Sequence, residues 1–190
     1  MKREDRGQKT EGGSGSEVGR VCTAHQEPAD AKGGGVRCTP YQPEGMVDVS
    51  GKQVTERTAT AAGSVLLGAN AFEALMRGEC PKGDVLATAK VAAIQAVKST
   101  PAMIPMCHPI LIEAVDVDFA MDEPGKSVGV TVAVKSTGKT GVEMEALCGV
   151  AGACLTIYDM LKYTGKGMTI DRIQLLEKTG GRSGNYTRPS

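Results

Sequence analysis

The chain has 190 residues, 41% of them apolar, and its 22 basic and 22 acidic side chains give a formal net charge of zero at pH 7. The length suits one domain with an appendage, and the balanced charge argues against the basic surface that nucleic-acid binders use. No run approaches the roughly 20 apolar residues that a membrane span needs. The sequence therefore predicts a globular protein with neither a nucleic-acid nor a membrane partner.

The first 44 residues are rich in glycine and charge and lack periodic apolar residues. Such a segment cannot bury enough surface to offset the entropy of ordering, which predicts a disordered tail over 1–44 and a folded domain over 45–190. Cys22, His25 and Cys38 lie in the tail, but without a fourth ligand or paired spacing they are weak evidence for a metal. The absence of an apolar signal segment predicts a cytoplasmic protein with reduced cysteines.

The predicted elements follow in chain order from Met46. Small and polar residues alternate over 58–65, which predicts a strand. The segments "GANAFEALMRGE" and "KGDVLATAKVAAIQAVKST" predict two helices, and Asp84 is placed to cap the second. A hairpin is predicted in "ILIEAVDVDFAM" and "SVGVTVAVKS", which "DEPGK" separates. The longest helix is predicted in "GVEMEALCGVAGACLTIYDMLKY", and a last strand in "MTIDRIQLLEK".

The order β-α-α-β-β-α-β resembles a split βαβ arrangement, which predicts an α+β sandwich with helices on one face of an antiparallel sheet. The chain has no Trp, two Phe and four Tyr. Alanine, valine and glycine are therefore expected to build much of the core through close backbone packing.

Charged residues at both ends of the longest predicted helix are candidates for chemistry. Asp159 and Lys162 are three residues apart, so they share a helix face and can pair. Lys82 precedes a helix start, where free N–H groups favour an anion. Glu143 and Glu145 lie in the first turns of the longest helix, where carboxylates also stabilise the helix dipole. On spacing alone, a surface ion pair and a solvated lysine are the simpler explanations.

The two ends of that helix are far apart. Glu145 and Asp159 differ by 14 positions, about 21 Å along a helix axis, so one small site in one chain cannot use both. Either the ligand is long, or two copies of the chain share a pocket. Gly149 and Gly152 leave little side chain in the middle of the helix and permit another element to approach closely, which favours a homo-oligomer.

The segment "IPMCHPILIEAV" places His108 between Cys107 and Pro109, ahead of a predicted strand. A zinc site needs further His or Cys ligands, and the supply is thin because the one other histidine of the sequence lies in the tail. A Cys-His dyad is disfavoured because adjacent residues of an extended segment point to opposite faces. The residues alone leave two alternatives for His108, a ligand contact and a satisfied core histidine.

Seven blocks in this order resemble a known family: "MVDVSGK", "TERTATA", "KGDVLATAK", "MIPMCHP", "KTGVEMEAL", "LTIYDM" and "EKTGGRSG". They resemble the MoaC family, the cyclic pyranopterin monophosphate synthases of molybdenum-cofactor biosynthesis, over about residues 46–186. The resemblance implies a ferredoxin-like α/β sandwich assembled as a homohexamer, a trimer of dimers, with active sites at subunit interfaces.

The implied reaction is that of a lyase, which converts a 3′,8-cyclised dihydro-GTP into cyclic pyranopterin monophosphate and pyrophosphate. No redox cofactor is implied, and Mg²⁺ stays open as an escort of the triphosphate. Carried over by position, the resemblance implies catalytic roles for Asp159, Lys162 and Lys82. It implies substrate contacts from Met106, Cys107, His108, Met144 and Glu145, further pocket residues in Glu143, Arg57 and Lys178, and no metal site.

Three positions depart from the family pattern. Met106 replaces a common leucine, Leu161 stands where cysteine is frequent, and Tyr163 stands where alanine is usual. None of these changes removes an implied catalytic group. Tyr163 is expected to alter the rim of the pocket.

Two other classes of function compete with the enzyme. A ferredoxin-like oligomer can bind nucleotide without turnover, although a mere binder needs no aspartate beside its phosphate-binding lysine. A metal-dependent phosphohydrolase is weaker, because the acidic residues form no obvious Mg²⁺ cluster. In the enzyme, the lysines are expected to neutralise phosphate charge and move protons; a lysine acting as a base needs its pKa lowered from about 10.4.

Overall fold

The computed structural model describes residues 45–189. The predicted tail over 1–44, with Cys22, His25 and Cys38, lies outside the described residues. The strands are β1 (Thr55–Leu66), β2 (Ala114–Asp122), β3 (Ser127–Gly138), β4 (Thr169–Thr179) and β5 (Tyr186–Thr187), and the helices are α1 (Ala69–Arg77), α2 (Val85–Lys98), α3 (Thr100–Met103) and α4 (Glu143–Leu161).

The five strands form one antiparallel sheet in the order β2-β3-β1-β4-β5. β1 pairs with β3 without interruption, from Thr55 opposite Gly138 to Leu66 opposite Ser127. α4 packs against β1, β3 and β4, and α2 packs against α4 and β2. This arrangement confirms the predicted α+β fold of ferredoxin-like type.

The core consists mainly of valine and alanine, as the composition predicted. Successive residues of β1 and β3 alternate between buried and partly exposed, because a strand presents its side chains to opposite faces. The buried face of β3 carries Val128, Val130, Val132 and Val134, and α4 covers it with Val150, Ala153 and Ile157.

The small residues of α4 pack inside the chain. A Cβ on Gly149 would lie 2.9 Å from Val132 Cγ1 of the sheet, and a Cβ on Gly152 would lie 2.8 Å from the Cβ of Ala96 in α2. The predicted close approach is confirmed, but the approaching elements belong to the same chain. These glycines therefore give no support to the expected homo-oligomer.

α4 is long and apolar enough to cross a membrane by length and composition alone, and 56% of its most apolar 18 residues are buried within the fold. A buried core helix passes the same test, so this is weak evidence for a membrane span.

Three features differ from the predicted elements. β2 begins at Ala114 rather than at Ile110; before it, Leu111 accepts a 2.8 Å hydrogen bond from the Ser136 hydroxyl through its carbonyl. The short α3 and β5 were not predicted, because neither carries enough residues to show a period.

Candidate active site

Asp159, at the C-terminal end of α4, binds both lysines predicted to accompany it. Its Oδ2 accepts from Lys82 Nζ at 2.5 Å, and its Oδ1 accepts from Lys162 Nζ at 2.7 Å. Lys82 Nζ also donates to the backbone carbonyl of Asp159 at 3.2 Å. We call these three residues the lysine-aspartate cluster.

The cluster lies at the surface of the chain. Each of its side chains is about half exposed, at 50% for Lys82 and 51% for both Asp159 and Lys162. In the single chain the cluster is thus an exposed ion-pair group, the simpler explanation that spacing alone favoured. Two ammonium groups on one carboxylate leave a net positive charge there, which suits an anionic ligand.

Hydrogen bonds and charge shift the pKa values within the cluster. Hydrogen bonds from Lys162 and then Lys82 lower the pKa of Asp159 to about 2. The hydrogen bond and charge of Asp159 raise the pKa of Lys162 above its usual value. At neutral pH the carboxylate is thus ionised and the Lys162 amine is protonated.

A second group of predicted site residues lines a cavity at the opposite end of α4. The cavity has a volume of about 140 Å³ and is lined by Met106, Cys107, His108, Ile110, Thr140, Gly141, Glu143, Met144 and Glu145. The segment before β2 thus faces the first turn of α4. The five predicted substrate contacts meet here, and we call this cavity the histidine pocket.

Glu145 is the buried acid of the histidine pocket. Only 2% of its surface is exposed, and burial, followed by the neighbouring charge of Glu143, raises the pKa of its carboxyl. Burial, followed by the charge of Glu145, also raises the pKa of the Cys107 thiol. A thiol held protonated is a poor nucleophile, in agreement with the argument against a Cys-His dyad.

A wider cavity of about 1030 Å³ adjoins the histidine pocket and shares Thr140, Gly141 and Glu143 with it. Its other lining residues are Gly51, Lys52, Gln53, Thr55, Arg57, Gly181, Arg182 and Ser183. Three cations on this wall make it basic. We call it the basic cavity.

Arg57 is largely buried in the wall of the basic cavity. It is only 9% exposed, although it carries a full positive charge. A Cβ on Gly181 would collide with its guanidinium in this position, and the φ of 78° at Gly181 also favours glycine. Within the described part of the chain, Arg57 Nε and Thr55 Oγ1 are buried and make no hydrogen bond. Buried polar atoms that lack a partner are often satisfied by a ligand or by water.

Lys178 lies beside the same cavity. Its ammonium donates to the Ser183 hydroxyl at 2.6 Å and lies 4.0 Å from Glu143 Oε1. Lys52 and Arg182 also line the cavity, but sequence reasoning did not single them out. Both lie inside blocks that carry the family resemblance, Lys52 in "MVDVSGK" and Arg182 in "EKTGGRSG", and this position could have indicated them as site residues.

The chain does not bring the two groups of residues together. The lysine-aspartate cluster lies at the end of α4, whereas the histidine pocket and the basic cavity lie at its start. The 14 positions from Glu145 to Asp159 correspond to about 21 Å of helix. Among residues 45–189, no three or more His, Cys, Asp or Glu side chains form a group that could hold a metal ion.

The fold and the site define a ferredoxin-like α+β protein with a basic cavity and a separate lysine-aspartate cluster. A protein-family model described as the MoaC family matches residues 46–181. The chain belongs to the MoaC family.

Curated relatives carry the name cyclic pyranopterin monophosphate synthase. The relative from Nocardioides sp. is 51% identical over 146 residues, covering 76% of this chain and 89% of the relative. Those from Heliobacterium modesticaldum and Thermomicrobium roseum are 51% and 50% identical over 143 residues, covering 75% of this chain in each case and 90% and 86% of the relatives.

Proposed function

We propose that this protein is a lyase of molybdenum-cofactor biosynthesis, a cyclic pyranopterin monophosphate synthase. The proposed substrate is (8S)-3′,8-cyclo-7,8-dihydro-GTP, and the proposed products are cyclic pyranopterin monophosphate and pyrophosphate. Family membership supports the class of enzyme. The arrangement of charged groups supports the assignment of roles to residues.

The observation that carries the proposal is the pairing of two ammonium groups with one carboxylate in the lysine-aspartate cluster. A protein that only binds phosphate gains affinity from lysines but loses some of it to a neighbouring aspartate, which cancels part of the charge. Asp159 is better explained as a group that orients Lys82 and Lys162 for proton transfer and charge stabilisation.

Lys162 is proposed to begin the reaction as a proton donor. Asp159 raises the pKa of its amine, so in the free protein Lys162 holds its proton at neutral pH. A protonated amine can neutralise charge that develops on phosphate oxygens and can then release a proton to a leaving group.

The two cavities are proposed to hold different parts of the substrate. The histidine pocket offers His108, the Glu145 carboxyl and two methionine side chains, which suit the polar edge and flat faces of a fused ring system. The basic cavity offers Lys52, Arg57 and Arg182, which suit the triphosphate. Glu143 lines both cavities, and the Lys178 ammonium lies 4.0 Å from its carboxylate.

A homo-oligomer is proposed in order to bring the two ends of α4 together. About 21 Å of helix separates Glu145 from Asp159, and a nucleotide cannot meet both within one chain. The cluster of one subunit beside the two cavities of another would complete a site. We propose the homohexamer that the family resemblance implies. At each active site, the C-terminal end of α4 from one subunit would meet the N-terminal end of α4 from another.

The remaining assignments are also proposals. Residues 45–190 form the catalytic domain, the protein is cytoplasmic, and the reaction uses no redox cofactor. Where Mg²⁺ accompanies the substrate, the phosphate oxygens bind it, because the described chain offers no cluster of acidic ligands for an ion.

The decisive experiment is release of pyrophosphate from the cyclised dihydro-GTP by the purified protein. We expect one pyrophosphate for each cyclic pyranopterin monophosphate formed. Substrate binding without product from correctly folded protein would instead identify a nucleotide-binding module.

A further inference from the structure

The loop that carries Lys82 is fixed at both of its ends. α1 ends at Arg77 and is capped by Gly78, which adopts a left-handed conformation with φ of 66°. α2 begins after Asp84, whose carboxylate accepts a hydrogen bond of 2.9 Å from a first-turn N–H. These caps define the backbone of the loop but do not determine where its middle lies relative to α4.

Besides the contacts of Lys82 itself, two hydrogen bonds join that loop to the end of α4 and the residues just after it. The Cys80 thiol donates to the carbonyl oxygen of Met160 at 3.2 Å, and the Tyr163 hydroxyl donates to the carbonyl oxygen of Glu79 at 3.0 Å. Met160 directly follows the aspartate of the cluster, and Glu79 and Cys80 lie just before its first lysine. The contacts therefore connect the two segments that supply the ion pair.

A lysine side chain needs such an anchor. Its four-carbon stem has many rotamers, and the Lys82 side chain is 50% exposed, so packing does not select one of them. The direction from which its ammonium reaches Asp159 therefore depends on where the backbone of the loop is held.

We propose that Tyr163 is a positioning residue, whose hydroxyl holds the Glu79 carbonyl and so sets the approach of Lys82 to Asp159. The effect on turnover rests on the proposed function, whereas the effect on the geometry of Lys82 does not. Burial, followed by the charges of Cys80 and Glu79, raises the pKa of the Tyr163 hydroxyl. The hydroxyl therefore keeps its proton and donates throughout the neutral and mildly alkaline range.

The test compares two tyrosine-to-phenylalanine variants. Tyr163→Phe removes the bond to the loop of Lys82 and keeps the ring, which is 51% exposed. Tyr158→Phe is the matched control, because its hydroxyl donates at the same 3.0 Å to the carbonyl of Lys166, on the connection to β4. Both variants are expected to melt within a few degrees of the wild type.

The first measurement does not depend on activity. Lysines are acetylated briefly with an N-hydroxysuccinimide ester, and the rate at each site is measured by mass spectrometry, with the exposed Lys90 of α2 as the internal standard. In Tyr163→Phe, Lys82 is expected to react at least threefold faster, because its ammonium leaves Asp159 more often. Tyr158→Phe is expected to match the wild type.

The second measurement is pyrophosphate release. In Tyr163→Phe, kcat is expected to fall about fivefold with KM changed less than twofold, which is the effect of losing roughly 1 kcal/mol of one hydrogen bond from the transition state. Unchanged labelling of Lys82, or equal effects of the two variants, would overturn the proposal. A wild type that releases no pyrophosphate would defeat the proposed function, while the labelling would still decide the role of Tyr163.

Discussion

Glu145 and Asp159 lie on the same helix but in opposite surroundings, since Glu145 is 2% exposed and the Asp159 side chain is 51% exposed. Burial raises the pKa of Glu145, whereas two lysines lower the pKa of Asp159 to about 2. One helix thus presents a desolvated acid at its start and a fully ionised carboxylate at its end.

Replacing Lys162 with alanine is expected to lower kcat for pyrophosphate release at least about 100-fold, the typical contribution of a positioned acid or base. The ion pair is half exposed, so the melting temperature should change little. Lys166→Ala, an exposed lysine on the next loop, is the control and should retain wild-type kcat. A Lys162→Ala protein with wild-type turnover would refute the role proposed for this amine.

Mixing two inactive variants tests whether the site is shared between chains. Lys162→Ala disables the cluster, and His108→Ala disables the pocket at the other end of α4. In hybrid oligomers formed by co-expression, some sites combine the intact cluster of one chain with the intact pocket of another. We expect recovery of roughly a quarter of wild-type activity for random mixing of two chains, since sites with both halves intact form at that frequency.

The control for that mixing experiment is a hybrid of Lys162→Ala with Lys82→Ala, which places both lesions in one cluster. This hybrid should stay inactive. If each chain carried a complete site of its own, neither hybrid would recover activity.

Replacing Glu145 with glutamine is expected to stabilise the protein at neutral pH. The raised pKa means that folding favours the protonated acid, so its contribution to stability is present at low pH and is lost as the pH rises through the folded pKa. Glutamine removes this loss. The melting temperature of the variant should exceed that of the wild type at pH 7, and the difference should shrink as the pH falls towards the unfolded pKa of about 4.3.

For Asp159 the sign is reversed. Its lowered pKa gives stability that is present above the unfolded value of about 3.9 and is lost as the pH falls towards 2. Asp159→Asn should lower the pKa of the Lys162 amine, because the hydrogen bond to the Asp159 carboxylate is the largest cause of the raised pKa. Titration of the labelled lysine amines by NMR measures this shift, and an unchanged pKa would contradict the pairing.

The Gly149→Ala substitution tests the packing of α4 on the sheet. Alanine favours a helix by about 1 kcal/mol over glycine, but its Cβ would lie 2.9 Å from both Val132 Cγ1 and Val97 Cγ2. These short, stiff side chains cannot move aside, so we expect a net loss of about 1–2 kcal/mol in urea unfolding. Gly167→Ala, which meets nothing within 4 Å, should be nearly neutral.

Periodicity was sufficient to predict the main helices and strands, because long elements with one buried face repeat their apolar residues many times. It misplaced the start of β2, since Ile110 and Ile112 alternate like strand residues while the chain there bonds to Ser136 instead. The three-residue spacing of Asp159 and Lys162 predicted their ion pair correctly. No spacing revealed that Lys82, 77 residues earlier, binds the same carboxylate, because that contact depends on packing of a loop against a distant helix end.

Local sequence patterns did not predict the basic cavity either. Arg57 lies on the central strand, and Gly181 follows β4, so their contact joins positions 124 residues apart in the chain (181 − 57). Only the family resemblance pointed to Arg57. The contact of Tyr163 was equally hidden from spacing, because its hydroxyl bonds to the carbonyl of Glu79, 84 residues earlier in the chain.

The distance in sequence between Arg57 and Gly181 has a kinetic consequence. Contacts between remote parts of a chain form slowly, because their loop-closure entropy is lost before any pairing energy is gained. Helices and the β2-β3 hairpin can nucleate early, but the part of the wall that Gly181 forms beside the guanidinium cannot form until β4 pairs with β1. Competence to hold a polyphosphate should accordingly appear as one of the last events of refolding, later than the recovery of helical circular dichroism.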